Sequence, residues 1–472
     1  MIKFGTGGWR AIIGEDFTKA NIQIFAKAMA DKMKAENATY KGIVMGYDRR
    51  FLSKETVKWS CEVFAAEGIT VHFVCRSVPT PLIMNYVMKY DLPYGLMVTA
   101  SHNPSLYNGI KVFTAGGRDA DEVQTADIER YIAQVDPEKI QRMDYEKALA
   151  AGLVHEFYPM NEYIDDIMAK IDMETIRGAG LRIMLDPMYG VSETALRTIL
   201  ITGRCELEVI HQEHDTLFGG RMPAPSAELL HLLKSHVVDR GYDMGIATDG
   251  DADRLGVIDD KGNYLHPNDI LVLLYYYLVN YKGWKGPVVR NLATTHRLDA
   301  IAEKCGQKCY EVPVGFKHIS AKMAETGAIL GGESSGGLTV TGHIRGKDGV
   351  YAASLLVEMV AVTGKKLSEL MAIIRQEFGS CHMEEHAYTF PAERKAPLQE
   401  QIYVNHDLPE LPFAIHHISD LDGCKLFFEN GGWAIIRFSG TEPLLRVFCE
   451  MPSKADAVTV CEKIKDYYHL QA

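Results

Sequence analysis

The densest chemistry in the chain is the run DGDADR at residues 249–254, where Asp249, Asp251 and Asp253 stand at alternate positions. Such carboxylates converge when a loop curls, and hard cations take oxygen ligands. Three like charges held together are unfavourable without a cation, so the run points to Mg²⁺ with positions left for a phosphate oxygen. A solvated acidic turn is the plain alternative. An EF-hand is excluded, because its sixth position needs Gly where this chain has Arg254 and its twelfth needs Glu where it has Asp260. A second candidate is RFSGTEPLLR at 437–446. Arg437 offers a guanidinium fork, and Ser439, Gly440 and Thr441 offer hydroxyls and backbone N–H groups, an anion nest suited to phosphate. The alternative is a Ser-Gly-Thr turn before Pro443.

A third stretch, TASHNPSLYNGIK at 99–111, sets Ser101 beside His102 at the end of an apolar run. A serine nucleophile with a histidine base is one reading, although adjacent Ser and His need not face each other. A fourth, GESSG at 332–336, matches the G-x-S-x-G nucleophile pattern around Ser334. That pattern needs a helix immediately after the serine, and the strand-like LTVT follows instead. Glu333 and Ser335 then read as a polar loop offering hydrogen bonds to hydroxyls. FGTGGWR at 4–10 is half a dinucleotide fingerprint without its last small residue or a preceding strand, and no complete P-loop occurs, so nucleotide binding has no motif behind it. Cys305 and Cys309 lack a second pair for zinc. Cys381, His382 and His386 in CHMEEH could hold a metal, but read more simply as a solvated polar connector.

These loops need a scaffold. GIVMGYD (42–48), ITVHFV (69–74), YGLMVTA (94–100), LRIMLDP (181–187), MGIATD (244–249), GPVVRN (286–291) and AILGG (328–332) are strand-like runs separated by helical-period segments. The alternation predicts α/β units with largely parallel or mixed sheets, whose binding loops gather at the strands' C-terminal ends. A hairpin over 255–265 closes the second unit. After residue 380 the runs FAIHHIS, CKLFFEN, GWAIIRFSG and LLRVFCEM, then a terminal helix, predict a smaller α+β unit. The expectation is three related mixed-sheet α/β domains plus that C-terminal domain around a central cleft, with limits 1–150, 151–260, 261–373 and 374–472.

Composition bounds the class. The chain has 472 residues, 47% hydrophobic and 24% charged, with a formal charge of -12. Net acidity argues against a nucleic-acid or anionic-membrane partner, while leaving room for a local basic pocket. The longest apolar run, ILVLLYYYLV at 270–279, is too short to span a bilayer and reads as a buried helix. Nine scattered cysteines and the lack of a signal-like N-terminus suit a cytoplasmic protein.

Taken together, the loops resemble those of the α-D-phosphohexomutases, in family order along essentially the whole chain. FGTGGWR resembles the family's N-terminal substrate loop, TASHNPSLYNGIK its phosphoserine loop, DGDADR its magnesium loop, GGESSGG its sugar loop and RFSGTEP its phosphate loop. The resemblance implies that Ser101 carries a phosphoryl group and that Asp249, Asp251 and Asp253, completed by the phosphoserine, hold Mg²⁺. Arg254 would support that phosphate. Arg10, His102 and Lys111 would line the reacting centre, Glu333 and Ser335 would bind sugar hydroxyls, and Arg437, Ser439, Gly440 and Thr441 would grip the phosphate not in transfer. It implies a hexose 1,6-bisphosphate as intermediate and activator. One departure is informative: Gly337 stands where the phosphomannomutase and phosphoglucosamine branches carry His. Downstream, HIRGKDG (343–349) resembles the HIREKDG stretch of phosphoglucomutases, which makes Lys347 a candidate proton shuttle. VGFKHIS (314–320) resembles the third-domain recognition loop, with Lys317 a substrate contact. Both lean toward glucose 1-phosphate and glucose 6-phosphate over the mannose, glucosamine and pentose phosphates. A metal-dependent phosphatase, a serine hydrolase and a non-catalytic sugar-phosphate binder are the rivals.

Overall fold

The computed structural model describes residues 2–5, 7–439 and 444–471. Its strands are short and apolar on both faces where helices cover both sides of a sheet, as in Ile43–Tyr47 and Tyr94–Val98, which are buried throughout. These two pair in parallel, and Val71–Val74 adds in parallel to Ile43–Tyr47. Tyr107–Thr114 runs antiparallel beside Tyr94–Val98, and the hairpin of Phe4–Gly5 and Gly8–Ile12 closes that edge. Phe4, Gly5 and Gly8 to Arg10 of FGTGGWR are thus themselves part of an edge hairpin. At the other edge Val154–Phe157 pairs with Val71–Val74, so the first sheet runs past residue 150.

The second sheet has Glu206–Val209, Arg182–Asp186 and Met244–Thr248 in parallel, then Leu255–Ile258 and Tyr264–Leu265 antiparallel. The third has Cys309–Val312, Val288–Asn291 and Leu330–Gly332 in parallel, then Leu338–Val340 antiparallel. One device recurs in all three units. A parallel strand ends, a short loop turns the chain, and the next strand returns antiparallel: Tyr94–Val98 to Tyr107–Thr114, Met244–Thr248 to Leu255–Ile258, Leu330–Gly332 to Leu338–Val340. The serine loop, the acidic loop and the Glu333 loop are these three turns.

The fourth sheet is wholly antiparallel, in the order His382–Thr389, Leu444–Met451, Trp433–Phe438, Cys424–Phe428, Ile415–Ser419. CHMEEH is therefore not a connector, since most of it opens an edge strand. Its charged side chains are what an edge tolerates and what hides a strand from a hydrophobic reading. The helix Lys454–Tyr467 packs on this sheet through Ala457, Val460, Cys461 and Ile464.

One apolar core runs through the first three units, threaded by the helices Pro267–Asn280 and Gly349–Thr363, which are buried over most of their length. The fourth unit has its own core. It meets the third through a small cluster of Leu292, Ala293, Trp433 and Ile435. No described helix is long and apolar enough to cross a membrane.

Candidate active site

Ser101 sits 1% exposed at the start of its turn with φ +51°, a left-handed backbone that a side chain adopts only when its surroundings hold it there. The hold is visible. Its amide donates to Thr99 Oγ1 at 2.8 Å, and Thr99 donates to Asp48 Oδ2 at 2.6 Å. Arg50, fully buried beside Asp48, donates from Nη2 to the Ser101 and Asn103 carbonyls, each at 2.6 Å. From Nη1 it donates to those of Pro104 at 2.8 Å and Tyr107 at 3.0 Å. Arg10 donates to Asn103 Oδ1 at 2.5 Å. Arg50 and Asp48 were not singled out from sequence; the signal available is the pair of arginines directly after a strand, in YDRR.

The Ser101 hydroxyl donates not to His102 but to Asp249 Oδ2, at 2.7 Å. Serine and acidic loop can approach this closely because residue 250 is Gly: a Cβ there would lie 2.8 Å from the Ser101 carbonyl oxygen. Asp249 Oδ1 accepts from the amides of Asp253 and Arg254, both at 3.1 Å, which curls the loop. Asp251 Oδ2 accepts from Thr80 at 2.5 Å and from Lys111 Nζ at 2.6 Å, and Lys111 also reaches Asp253 Oδ2 at 2.6 Å. Lys347 Nζ lies 3.2 Å from the same Asp253 oxygen.

Burial raises Asp249 well above the usual carboxylate range, with Asp251 and Asp253 adding to it. Burial acts the same way on Asp253, but Lys111, Lys347 and Arg254 outweigh it and hold the carboxyl down. Lys111 is disfavoured as a cation by burial, yet Asp251 and Asp253 lift it above its ordinary value. His102 is driven down to about 2 by burial, then by Arg254 and Arg10, and is neutral at any physiological pH.

Several buried polar atoms in these loops have no hydrogen-bond partner among the described residues: His102 Nδ1, Asp251 Oδ1, Asp253 Oδ1 and Arg254 Nε. Buried groups left so mark a place for a ligand or ion. The ligand atoms of Asp249, Asp251 and Asp253 lie within 4.8 Å of one another. Hard oxygen donors, two of them without a hydrogen bond among the described residues, fit Mg²⁺.

The third turn closes on the acidic loop. Leu255 N–H donates to the Gly336 carbonyl at 3.3 Å, and Gly349 N–H to that of Ala252 at 3.1 Å. Glu333 is 8% exposed and accepts the Ser335 hydroxyl on Oε1 at 2.7 Å. A strand follows Ser334, not a helix, so the nucleophile geometry is absent. Lys347 is fixed by its neighbour Asp348, which caps the helix Gly349–Thr363 through the Val350 and Tyr351 amides. Asp348 also accepts from Tyr163 and His343.

Lys317 and Arg437 stand further out. Lys317 Nζ contacts Glu122 of the first unit at 2.5 Å, and Arg437 Nε contacts Asp422 at 3.0 Å. Ser439 lies beyond Arg437, 7% exposed. Gly440 and Thr441 lie outside the described residues.

Comparison with known proteins places this arrangement. The phosphoglucomutase/phosphomannomutase models match in chain order: alpha/beta/alpha domain I over residues 1–139, domain II over 161–262, domain III over 266–378 and the C-terminal domain over 407–466. A Methanosarcina barkeri protein named for phosphoglucosamine mutase is 32% identical, spanning 98% of this chain and 99% of its own. The chain belongs to the phosphoglucomutase/phosphomannomutase family. A Thermococcus kodakarensis family member, named "Phosphoglucomutase/phosphomannomutase", is 27% identical over 99% of this chain and 97% of its own. A solved Thermus thermophilus structure named for phosphomannomutase superimposes with a TM-score of 0.86 at 27% identity, covering 99% of both chains. As a phosphohexomutase the protein is an isomerase that works by intramolecular phosphotransfer. In the third turn a Cβ at Gly337 would lie 2.1 Å from Lys347 Cδ, so the missing side chain is what admits the lysine.

Proposed function

We propose that this phosphohexomutase interconverts glucose 1-phosphate and glucose 6-phosphate through a phosphoserine at position 101 and a hexose 1,6-bisphosphate. The observation that carries the reading is the Ser101 hydroxyl, buried between an aspartate triad and a ring of cations in which acceptors and donors are left unpaired. Phosphoryl transfer needs this positioning and charge neutralisation more than covalent assistance.

In this reading Asp249, Asp251 and Asp253, with the phosphoserine, hold Mg²⁺, which when bound supplies charge neutralisation and orientation. Arg254, Arg10 and His102 surround the phosphoryl group. The bond from phosphorus to Ser101 Oγ breaks as a bond to the sugar oxygen forms, and the sugar hydroxyl gives its proton to a base of the chain. Lys111 is a poor candidate because its Nζ is spent between two carboxylates. Lys347 makes one ion pair among the described residues and lies against the Glu333 turn, so we assign it the proton, which it accepts as the neutral amine and then holds as the ammonium beside Asp253. Glu333 and Ser335 take sugar hydroxyls, with Lys317 at the rim. Arg437, Ser439, Gly440 and Thr441 hold the phosphate that stays. The bisphosphate turns over between the two sites, and its other phosphate returns to Ser101. The resemblance of Gly337, HIRGKDG and VGFKHIS to the phosphoglucomutase pattern is what supports glucose phosphates over the mannose and glucosamine phosphates named for the relatives.

The test supplies glucose 1-phosphate, Mg²⁺ and a trace of glucose 1,6-bisphosphate and couples the product to glucose 6-phosphate detection. Isomerisation is expected, and its loss in Ser101→Ala, with loss of a phosphate adduct from the intact mass. Free phosphate without isomerisation would overturn it in favour of a phosphatase. Faster turnover of mannose or glucosamine 1-phosphate in parallel reactions would reassign the sugar.

A further inference from the structure

Arg437 and the 314–320 segment belong to different units with separate cores, yet they share one carboxylate oxygen. Asp422 Oδ2 accepts the Val314 amide at 2.9 Å and Arg437 Nε at 3.0 Å. Asp422 lies in the turn between Ile415–Ser419 and Cys424–Phe428 of the fourth sheet, and Val314 leads into the helix Phe316–Thr326 of the third unit. The turn presses onto the neighbouring strand because residue 423 is Gly at φ +117°, where a Cβ would lie 2.8 Å from the Ile436 carbonyl oxygen. Gly315 at φ +127° gives the 314–320 segment a comparable bend two residues before Lys317.

Three residues on, the same strand anchors the junction. Lys425, 1% exposed, donates to the Leu292 carbonyl at 2.7 Å and to Glu311 at 2.5 Å, and meets His296 Nε2 at 3.0 Å. Its ammonium also lies 4.4 Å from the centre of the Trp433 ring. Asp422 is the polar link on the Arg437 side of this anchored junction, 27% exposed in its side chain.

We propose that Asp422 is a positioning residue that aims Arg437 and fixes the 314–320 segment together, so that the phosphate grip of the fourth unit and the sugar-recognition segment of the third act as one clamp. With the Nε edge of Arg437 taken by Asp422, the two terminal nitrogens of the guanidinium are the ones that face the phosphate, which is the bidentate geometry a phosphate prefers. A single carboxylate oxygen serves both partners, so removing the side chain releases both at once. The inference rests on the assignment of Arg437 to the staying phosphate.

The test compares Asp422→Ala and Asp422→Asn in the full chain, using whichever hexose 1-phosphate the wild-type enzyme turns over fastest, with hydrogen exchange of residues 312–318 measured without substrate. Asn keeps an acceptor for the Val314 amide but loses the charge that orients Arg437. Asp422→Ala is expected to raise KM about tenfold with kcat within threefold, and to speed exchange at 312–318. Asp422→Asn is expected to raise KM while leaving that exchange within twofold of wild type. The proposal is overturned if Asp422→Ala leaves KM unchanged, if it leaves exchange at 312–318 unchanged, or if kcat and thermal stability fall in both variants without a separate rise in KM. The exchange readout does not depend on turnover, so failure of the glucose assignment and failure of the clamp give different results.

Discussion

Replacing Arg50 is expected to disable the enzyme although, among the described residues, no hydrogen bond or ion pair joins Arg50 to the aspartate triad. Its guanidinium donates to four carbonyls of the serine turn, at 2.6 to 3.0 Å, and pairs with buried Asp48. Arg50→Ala removes all of these at once and strands the Asp48 carboxylate, which burial already pushes upward in pKa. Removing one partner of a buried charged pair costs about 3–5 kcal/mol. The turn also holds Ser101 in a left-handed backbone, a conformation that costs about 1–3 kcal/mol and relaxes when its supports go. Four domains do not unfold in one step, so the loss is best read locally. A local loss of about 3–5 kcal/mol makes the amides of 99–108 exchange roughly 10²- to 4 × 10³-fold faster. Misplacing Ser101 by about an ångström lowers kcat by about 10²-fold. Arg50→Lys keeps the charge but cannot span four carbonyls, and is expected to fall between. Hydrogen exchange with mass spectrometry and the coupled assay read both effects. An Arg50→Ala enzyme with kcat within threefold of wild type and unchanged exchange at 99–108 would refute this role of Arg50 in holding the serine turn.

Asp251→Asn is expected to lower the rate by about 10²-fold or more and to weaken Mg²⁺, since it alters both the Lys111 pair and an unpaired donor oxygen; rate against Mg²⁺ concentration checks it. Chelation by EDTA should stop isomerisation and added Mg²⁺ restore it. Gly337→Ala puts a Cβ 2.1 Å from Lys347 Cδ, so Lys347 must move, and kcat is expected to fall about tenfold with thermal stability little changed. Lys425→Met leaves Glu311 with fewer partners and is expected to cost about 3 kcal/mol, seen in calorimetry as earlier melting of the fourth unit. Burial and Arg290 push Lys425 down to about 8 against the pull of Glu311. Burial opposes the Glu311 charge, but His296, Arg290 and Lys425 together hold it below its ordinary 4.5. A carboxylate depressed in the folded state stabilises above its unfolded pKa and loses that contribution as pH falls. Acid below about pH 4.5 is therefore expected to loosen the junction, and the pH dependence should flatten in Glu311→Gln.

How much could be read in advance differs by residue. DGDADR, the Ser101 turn and GESSG were legible because each packs its chemistry into a few consecutive positions. Arg50 and Asp422 were not, because their partners lie far off in sequence and their neighbours spell no motif. Nor was the strand His382–Thr389, whose polar side chains suit a sheet edge but give no apolar alternation.

The sequence by itself determined the three α/β units, the antiparallel last unit and the identity of the loops, because local periodicity and contiguous motifs are set by neighbours along the chain. Only the tertiary structure decided which groups face each other. It gave the Ser101 hydroxyl to Asp249 and not to His102, fastened Lys111 between Asp251 and Asp253, and let Lys347 into the space left by Gly337. Those pairings join residues 10 to 148 positions apart, and what fixes them is close packing of separate loops, where the absence of a single Cβ, as at Gly250, decides whether two charged turns can meet.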